Sequence, residues 1–192
     1  MPGRAYDALF ELATDQYGFI TRDQALKAGF NRDTLTQMAK RGHVDHVGHG
    51  LYRFKAFPSG PLDAYMAAVL WPHGKTGVLS HETALDLYGL SDANPAKVHI
   101  TVPKKHRVTR TIPATFAIHH ADLQPQEITW REGLPVTTVE RTIRDAHQAH
   151  LRRGLLEQAL EQARSRGLLT AAAERNLRRE FATLQLAGRG SR

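Results

Sequence analysis

The sequence predicts an α+β protein in which an N-terminal winged helix-turn-helix is followed by a mixed α/β domain that ends in helices. Two short amphipathic helices joined by a glycine-containing turn precede an alternating segment that Gly48-His49-Gly50 interrupts. The stretch from Phe57 to Pro61 then breaks both helix and strand patterns. Beyond it, β-branched strands alternate with helices. We therefore expect a winged-helix domain at residues 1–57 and a second domain at residues 58–192.

The N-terminal segment predicts three helices. Residues 5–16 place apolar side chains on one face, as a supporting helix requires. Thr21 can cap the next helix, and Gly29 ends it. Asn31 can cap the third helix, which runs to Gly42. Because only a short turn separates the last two helices, they can pack at a steep angle and present the third helix to the major groove of DNA.

The third helix carries the candidate nucleic-acid contacts. Leu35 and Met38 form its buried stripe, which leaves a polar and basic face outside. Arginine and lysine suit phosphates or guanine edges, glutamine can pair with adenine, and threonine can contact phosphate or a thymine methyl. His49, between two glycines, is the candidate contact at the wing tip. The predicted DNA-binding residues are Arg32, Thr34, Thr36, Gln37, Lys40, Arg41 and His49.

Winged helices also serve as protein-interaction modules, since a fold alone does not determine a function. The basic, small-polar face favours DNA binding here. A winged helix that contacts only protein is the alternative interpretation.

The overall charge also favours a polyanionic partner. Lys and Arg total 26 against 19 for Asp and Glu, which gives a net charge of +7 and a pI near 10.0. The surplus is greatest at residues 141–192, with 11 basic and 5 acidic side chains. A second basic patch follows the first predicted strand of the second domain and could hold another DNA segment or an acidic protein surface. It consists of Lys104, Lys105, Arg107 and Arg110.

Composition also excludes several classes of site. No cysteine is present, which rules out disulfides and thiolate metal sites and makes the cytoplasm the expected location. No apolar run is long enough for a membrane span. No phosphate-binding loop, dinucleotide fingerprint or nucleophile elbow occurs. We therefore expect no cofactor and no enzymatic activity.

The histidines do not predict a metal or catalytic site. His43, His46 and His49 are spaced by three around a hairpin tip, where residues three apart alternate faces and cannot all converge. His81 and Glu82 are adjacent on a predicted helix and do not face each other, as an acid/base pair would. We expect His81 to be a buried residue at a helix start.

The second domain is expected to contain four strands and five helices. Arg141 and Asp145 lie four residues apart and should pair on a helix surface. The strands are predicted at 98–102, 115–118, 127–130 and 134–137, and the helices at 62–70, 80–88, 138–149, 151–166 and 170–186.

Several of these motifs occur in a recognisable order. The wing with Gly50-Leu51-Tyr52, the run from Ser80 to Leu90, the strand ending at Pro103, and the run from Gly133 to Asp145 together resemble the AbiEi family of antitoxins. The resemblance implies a winged helix that represses its own operon by binding operator DNA, followed by an α/β antitoxin domain. It also implies, as a partner, a toxin of the nucleotidyltransferase fold encoded beside it.

Overall fold

The computed structural model describes residues 3–72 and 74–189, with side-chain surroundings as far as residue 182. Within these residues the chain forms two sheets. A three-stranded sheet lies in the N-terminal domain, and a five-stranded sheet packed against helices lies in the second domain. The mixed α+β architecture expected from the sequence is confirmed.

The N-terminal domain is a winged helix. Its two hairpin strands form the wing, and a short third strand pairs with the second of them, giving the antiparallel order β1-β3-β2. The elements are α1 (Arg4–Thr14), β1 (Phe19–Thr21), α2 (Arg22–Lys27), α3 (Thr34–Lys40), β2 (Val44–Gly48) and β3 (Leu51–Phe54).

Local chemistry explains where the helix-turn-helix begins and turns. The Thr21 hydroxyl accepts a hydrogen bond from the backbone N–H of Gln24, and the Gln24 side chain accepts one from the N–H of Thr21. Gly29 then takes a φ of 84°, which glycine adopts without a steric penalty. Asn31 lies before α3 and accepts hydrogen bonds from the N–H of Asp33 and the hydroxyl of Thr34. The N-cap of α3 is Asp33, so the helix begins two residues later than a cap at Asn31 predicts.

The second domain is organised around a mixed sheet of order β6-β5-β4-β8-β7. The β5–β6 and β4–β8 pairs are parallel, and the β4–β5 and β7–β8 pairs are antiparallel. The elements are α4 (Asp63–Leu70), β4 (Val78–Leu79), α5 (His81–Tyr88), β5 (Val98–Val102), β6 (Phe116–His120), β7 (Ile128–Arg131), β8 (Leu134–Thr137), α6 (Val139–Gln148), α7 (Arg153–Ser165) and α8 (Ala171–Arg189).

The core of the second domain lies where α5 and α6 pack on each other and on the sheet. Leu85, Ile100 and Ile143 are fully buried there. The hydroxyl of Tyr88 donates to the carbonyl of Thr137 at 2.9 Å, which joins the end of α5 to the end of β8. The helices are thereby held against the sheet by both apolar burial and a buried hydrogen bond.

The two domains share contacts. Phe19 and Leu51 of the winged helix pack into the core of the second domain rather than into their own. Arg53 forms an ion pair with Asp63 at 3.1 Å, and the hydroxyl of Tyr17 donates to a backbone carbonyl at the β7–β8 turn at 2.5 Å. The winged helix is therefore docked on the second domain.

Three sequence expectations need correction. The segment at Phe19–Thr21 and the segment at Val78–Leu79 are short strands, which local patterns did not reveal because their partners are distant in sequence. The pair between Arg141 and Asp145 does form, at 2.7 Å, but the Asp145 side chain is only 5% exposed rather than on the surface. Glu127 provides a second carboxylate to the same arginine at 2.9 Å.

Candidate nucleic-acid interface

Helix α3 separates its apolar and polar residues cleanly. Leu35 and Met38 are buried in the core of the winged helix, where they pack with Ile20 and Phe54. The opposite face points to solvent. Four of the predicted contact residues are exposed there, namely Arg32 in the preceding turn, Gln37, Lys40, and Arg41 at the C-cap.

The two predicted threonines have structural partners. The Thr34 hydroxyl donates to the side chain of Asn31 at 2.9 Å at the start of α3. The Thr36 hydroxyl lies 3.2 Å from the hydroxyl of Tyr52, which also accepts from the Arg22 guanidinium at 3.2 Å. Because Tyr52 belongs to β3, this chain of hydrogen bonds ties α3 to the wing. Thr36 thus fixes the position of the helix.

The wing tip is held by the second domain. His49 is exposed, and Gly50 beside it has a φ of 69° that allows the tight turn. The backbone carbonyl of His49 accepts a hydrogen bond from Nη1 of Arg110 at 2.9 Å. The same guanidinium lies 4.3 Å from the centre of the Trp71 ring, within cation–π range. Burial lowers the pKa of Arg110, opposed by the Asp23 carboxylate.

The loop after β5 divides the predicted second basic patch into two roles. Lys104, Lys105 and Arg107 are exposed, and the backbone N–H of Lys104 donates to Asp122 at 3.0 Å, which anchors the loop. Arg110 instead contacts the wing. Three of the four cations therefore face solvent, and the fourth joins the domains.

A cleft of about 260 Å³ lies between α2, the wing tip and the segment after α4. Its walls carry five cationic side chains, including one from the turn before α3, against one carboxylate, Asp23, so it continues the basic surface of the helix-turn-helix. Such a concentration of cations raises the local potential for an anion such as a DNA phosphate. The cationic residues are Arg22, Lys27, Arg32, Lys75 and Arg110.

Sequence reasoning missed one side-chain cluster. His81, His99 and His119 come together at one edge of the five-stranded sheet, although 18 and 20 residues separate them along the chain. His99 lies in a strand that was predicted, and His119 lies just beyond the predicted strand at 115–118, which the structure extends to His120. The order and register of these strands could not be known from the sequence. By contrast, His43, His46 and His49 form no such cluster among the residues that the structure describes.

Two family models match the chain. Residues 7–55 match the model described as transcriptional regulator, AbiEi antitoxin. Residues 75–185 match the AbiEi antitoxin C-terminal domain, which by itself covers more than half of the chain. The chain belongs to the AbiEi antitoxin family. Its winged helix is therefore the regulator domain of an AbiEi antitoxin, and the five-stranded sheet with its helices is the C-terminal domain.

The chain also resembles, weakly, one protein of known structure. One solved structure, the RV2827C protein from Mycobacterium tuberculosis, is 15% identical with a TM-score of 0.43 and covers 74% of this chain. The chain spans 59% of the length of that protein. No curated protein matches the sequence. Among the described residues, none of the helices of this AbiEi protein has the length and apolar character needed to cross a membrane.

Proposed function

We propose that this AbiEi antitoxin represses its own operon by binding operator DNA through α3 and the wing. One observation carries the proposal: α3 buries Leu35 and Met38 and leaves its long polar side chains exposed on a single face. That face has the length, charge and hydrogen-bonding groups for the major groove. The exposed residues are Arg32, Gln37, Lys40 and Arg41.

The roles of these side chains follow from their chemistry. Gln37, in the middle of the exposed face, is suited to a bidentate contact with adenine. Arg32 and Lys40 lie near the two ends of α3 and are suited to phosphates or guanine edges. His49 at the wing tip contacts the flanking backbone or minor groove. Thr34 and Thr36 add contacts to phosphate while holding the helix in place.

The basic surface beyond α3 extends the DNA path. The cleft beside α2 continues it with Arg22, Lys27 and Lys75. Lys104, Lys105 and Arg107 form the second patch proposed to hold a further DNA segment. These contacts would add affinity without sequence preference, since phosphates carry no base information.

The antitoxin half of the proposal concerns a nucleotidyltransferase-like toxin encoded beside this chain. The family descriptions of both domains support an antitoxin role. We propose that the protein counteracts that toxin in the cytoplasm without being an enzyme.

Replacing Arg32, Gln37 and Lys40 together by alanine tests whether α3 recognises the operator sequence. The variant should lose its preference for the upstream duplex over a scrambled one. The slope of the logarithm of the binding constant against the logarithm of the salt concentration should decrease by the amount expected for about two phosphate contacts. A matched control replaces Lys104 and Lys105 by alanine, which should weaken binding to both duplexes by the same factor. If the triple variant keeps its preference, α3 is not the reader, and a protein-interaction role for the winged helix becomes the better account.

The toxin partner needs a separate test. Expression of the neighbouring toxin gene should arrest growth, and co-expression of this chain should relieve the arrest. The triple alanine variant should relieve it as well, because the proposed neutralising part is the second domain. Failure of the wild-type chain to relieve the arrest would contradict the toxin assignment and leave the operator assignment standing.

A further inference from the structure

Three imidazole rings meet at one edge of the five-stranded sheet. Each of His81, His99 and His119 offers a ring nitrogen, and these three nitrogens all lie within 4.8 Å of one another. Nδ1 of His99 is 3.0 Å from Nε2 of His119. The His81 ring stacks on the His119 ring with their centres 3.5 Å apart. We name these residues the histidine cluster.

Strand register places two members of the cluster. In the parallel β5–β6 pair, His99 lies opposite Ala117 and Thr101 lies opposite His119. Because side chains two residues apart on a strand point the same way, His99 and His119 share one face of the sheet and are diagonal neighbours. β6 is the edge strand, held to the sheet by β5 alone.

The third member arrives from the start of α5. His81 has a φ of 54°, a left-handed conformation that is uncommon for a residue with a side chain. Strained positions of this kind cluster at active sites and ligand clamps. Its Nδ1 lies 2.9 Å from the hydroxyl of Ser80, which accepts a hydrogen bond from Thr101 at 2.8 Å. The strained backbone thus aims His81 at the sheet.

The backbone around the cluster is firmly held. The N–H of His99 donates to the Thr83 hydroxyl at 2.8 Å, and the N–H of Ser80 donates to the carbonyl of His99 at 3.1 Å. His81 is only 8% exposed. Helix α5 and strand β5 are therefore fixed relative to each other before any ligand arrives, which lowers the cost of binding one.

The surroundings of the cluster also shift the pKa values of its three rings. Burial lowers the pKa of His81 to about 3 and that of His119 to about 4, with the neighbouring rings adding to both shifts. Burial also lowers the pKa of His99, opposed by Glu82.

We propose that the histidine cluster binds one zinc(II) ion. Three neutral imidazoles with an open fourth position are a typical zinc ligand set. A tetrahedral ion with Zn–N bonds of about 2.0–2.1 Å needs nitrogens about 3.4 Å apart. Nδ1 of His99 and Nε2 of His119 form a hydrogen-bonded pair 3.0 Å apart, which is close to that value. Zinc would take the place of the proton between them, which would move to the other nitrogen of its ring. The His81 ring must tilt out of its stack, since its lone pair lies in the ring plane.

The ion would connect three separate elements. It would join the start of α5 to β5 and to the edge strand β6, which leads away from the basic loop at 103–115. A ligand that binds only the folded state stabilises it by mass action. The metal would therefore secure the edge of the C-terminal domain, beside the loop that carries Lys104 and Lys105.

Zinc titration of the full chain tests the site. The protein is stripped with a chelator and titrated with zinc(II) against a chromophoric competitor at neutral pH, with metal content measured independently. We expect one zinc per chain. His99→Ala and His119→Ala each remove a direct ligand. Each should weaken zinc binding by at least about 10- to 100-fold, which is the loss found when a residue that only hydrogen-bonds to a ligand is removed. His120→Ala, at the exposed neighbouring position, is the matched control and should bind as wild type does.

Thermal unfolding provides the second measurement. Zinc should raise the unfolding temperature of the wild type and of His120→Ala, and should leave His99→Ala and His119→Ala unchanged. Both cluster variants replace partly exposed residues, so they should fold; circular dichroism checks this. Absence of stoichiometric zinc in the wild type, or equally tight zinc binding in the two cluster variants, would overturn the proposal.

Discussion

Arg110 is the side chain on which the position of the wing depends. Removing it as Arg110→Ala deletes a charged hydrogen bond to the His49 carbonyl at 2.9 Å and a cation–π contact with Trp71 at 4.3 Å. A hydrogen bond involving a charged group contributes about 1.5–3 kcal/mol, and a cation–π contact about 0.5–2 kcal/mol. Because Arg110 is partly exposed, we expect a total loss of about 2 kcal/mol.

For a chain of this length that loss corresponds to an unfolding temperature about 4–8 °C lower. The control is Arg107→Ala, an exposed cation of the same loop, which should change stability by less than about 0.5 kcal/mol. Hydrogen exchange should also accelerate at the amides of residues 48–50. If Arg110→Ala unfolds at the temperature of Arg107→Ala with the same exchange at the wing tip, Arg110 does not hold the wing.

Three further predictions follow from buried contacts. Tyr52→Phe removes two hydrogen bonds that join α3 to the wing, so urea unfolding should show a loss of about 1–2 kcal/mol; an unchanged midpoint would contradict this role. Arg141→Met leaves the buried Asp145 carboxylate without its cation and should cost about 3 kcal/mol, whereas a loss below about 1 kcal/mol would refute the coupling. Burial lowers the pKa of His147 in the native state, so the unfolded chain binds more protons and stability falls as pH drops below about 6.5. His147→Gln should reduce that fall between pH 7 and 5, as measured by urea unfolding at each pH, and an identical pH dependence would contradict the assignment.

The winged helix could be predicted because its signals are local. The cap at Thr21, the glycine turn at Gly29 and the hairpin tip at Gly48 each act within a few residues of chain. The buried stripe of Leu35 and Met38 likewise predicts which face of α3 is exposed. Whether that face binds DNA stays a prediction, as do the domain boundary at residue 57 and the roles of the individual basic residues.

Features that depend on distant partners could not be predicted. Strand β4 has only two residues and exists because β5 and β8 flank it. The burial of Asp145 depends on how α6 packs between its neighbours. The four-residue spacing of Arg141 and Asp145 carries no information about that packing. The histidine cluster requires the parallel register of β5 and β6 together with the unusual backbone of His81.

The same limit applies to the second basic patch. Four cations within seven residues predicted one surface, yet Arg110 turns inward to the wing while Lys104, Lys105 and Arg107 face solvent. The difference arises because Trp71 and the carbonyl of His49 offer Arg110 a site that the sequence order does not reveal.

The most direct test of the central proposal is binding of the purified protein to its own upstream DNA and to a scrambled duplex, titrated with salt. An operator-binding repressor should prefer the upstream duplex by about 10³-fold or more, and the preference should persist as salt weakens both complexes. Equal affinity for the two duplexes, lost in parallel as salt rises, would contradict operator recognition and leave only the attraction of a basic protein for a polyanion.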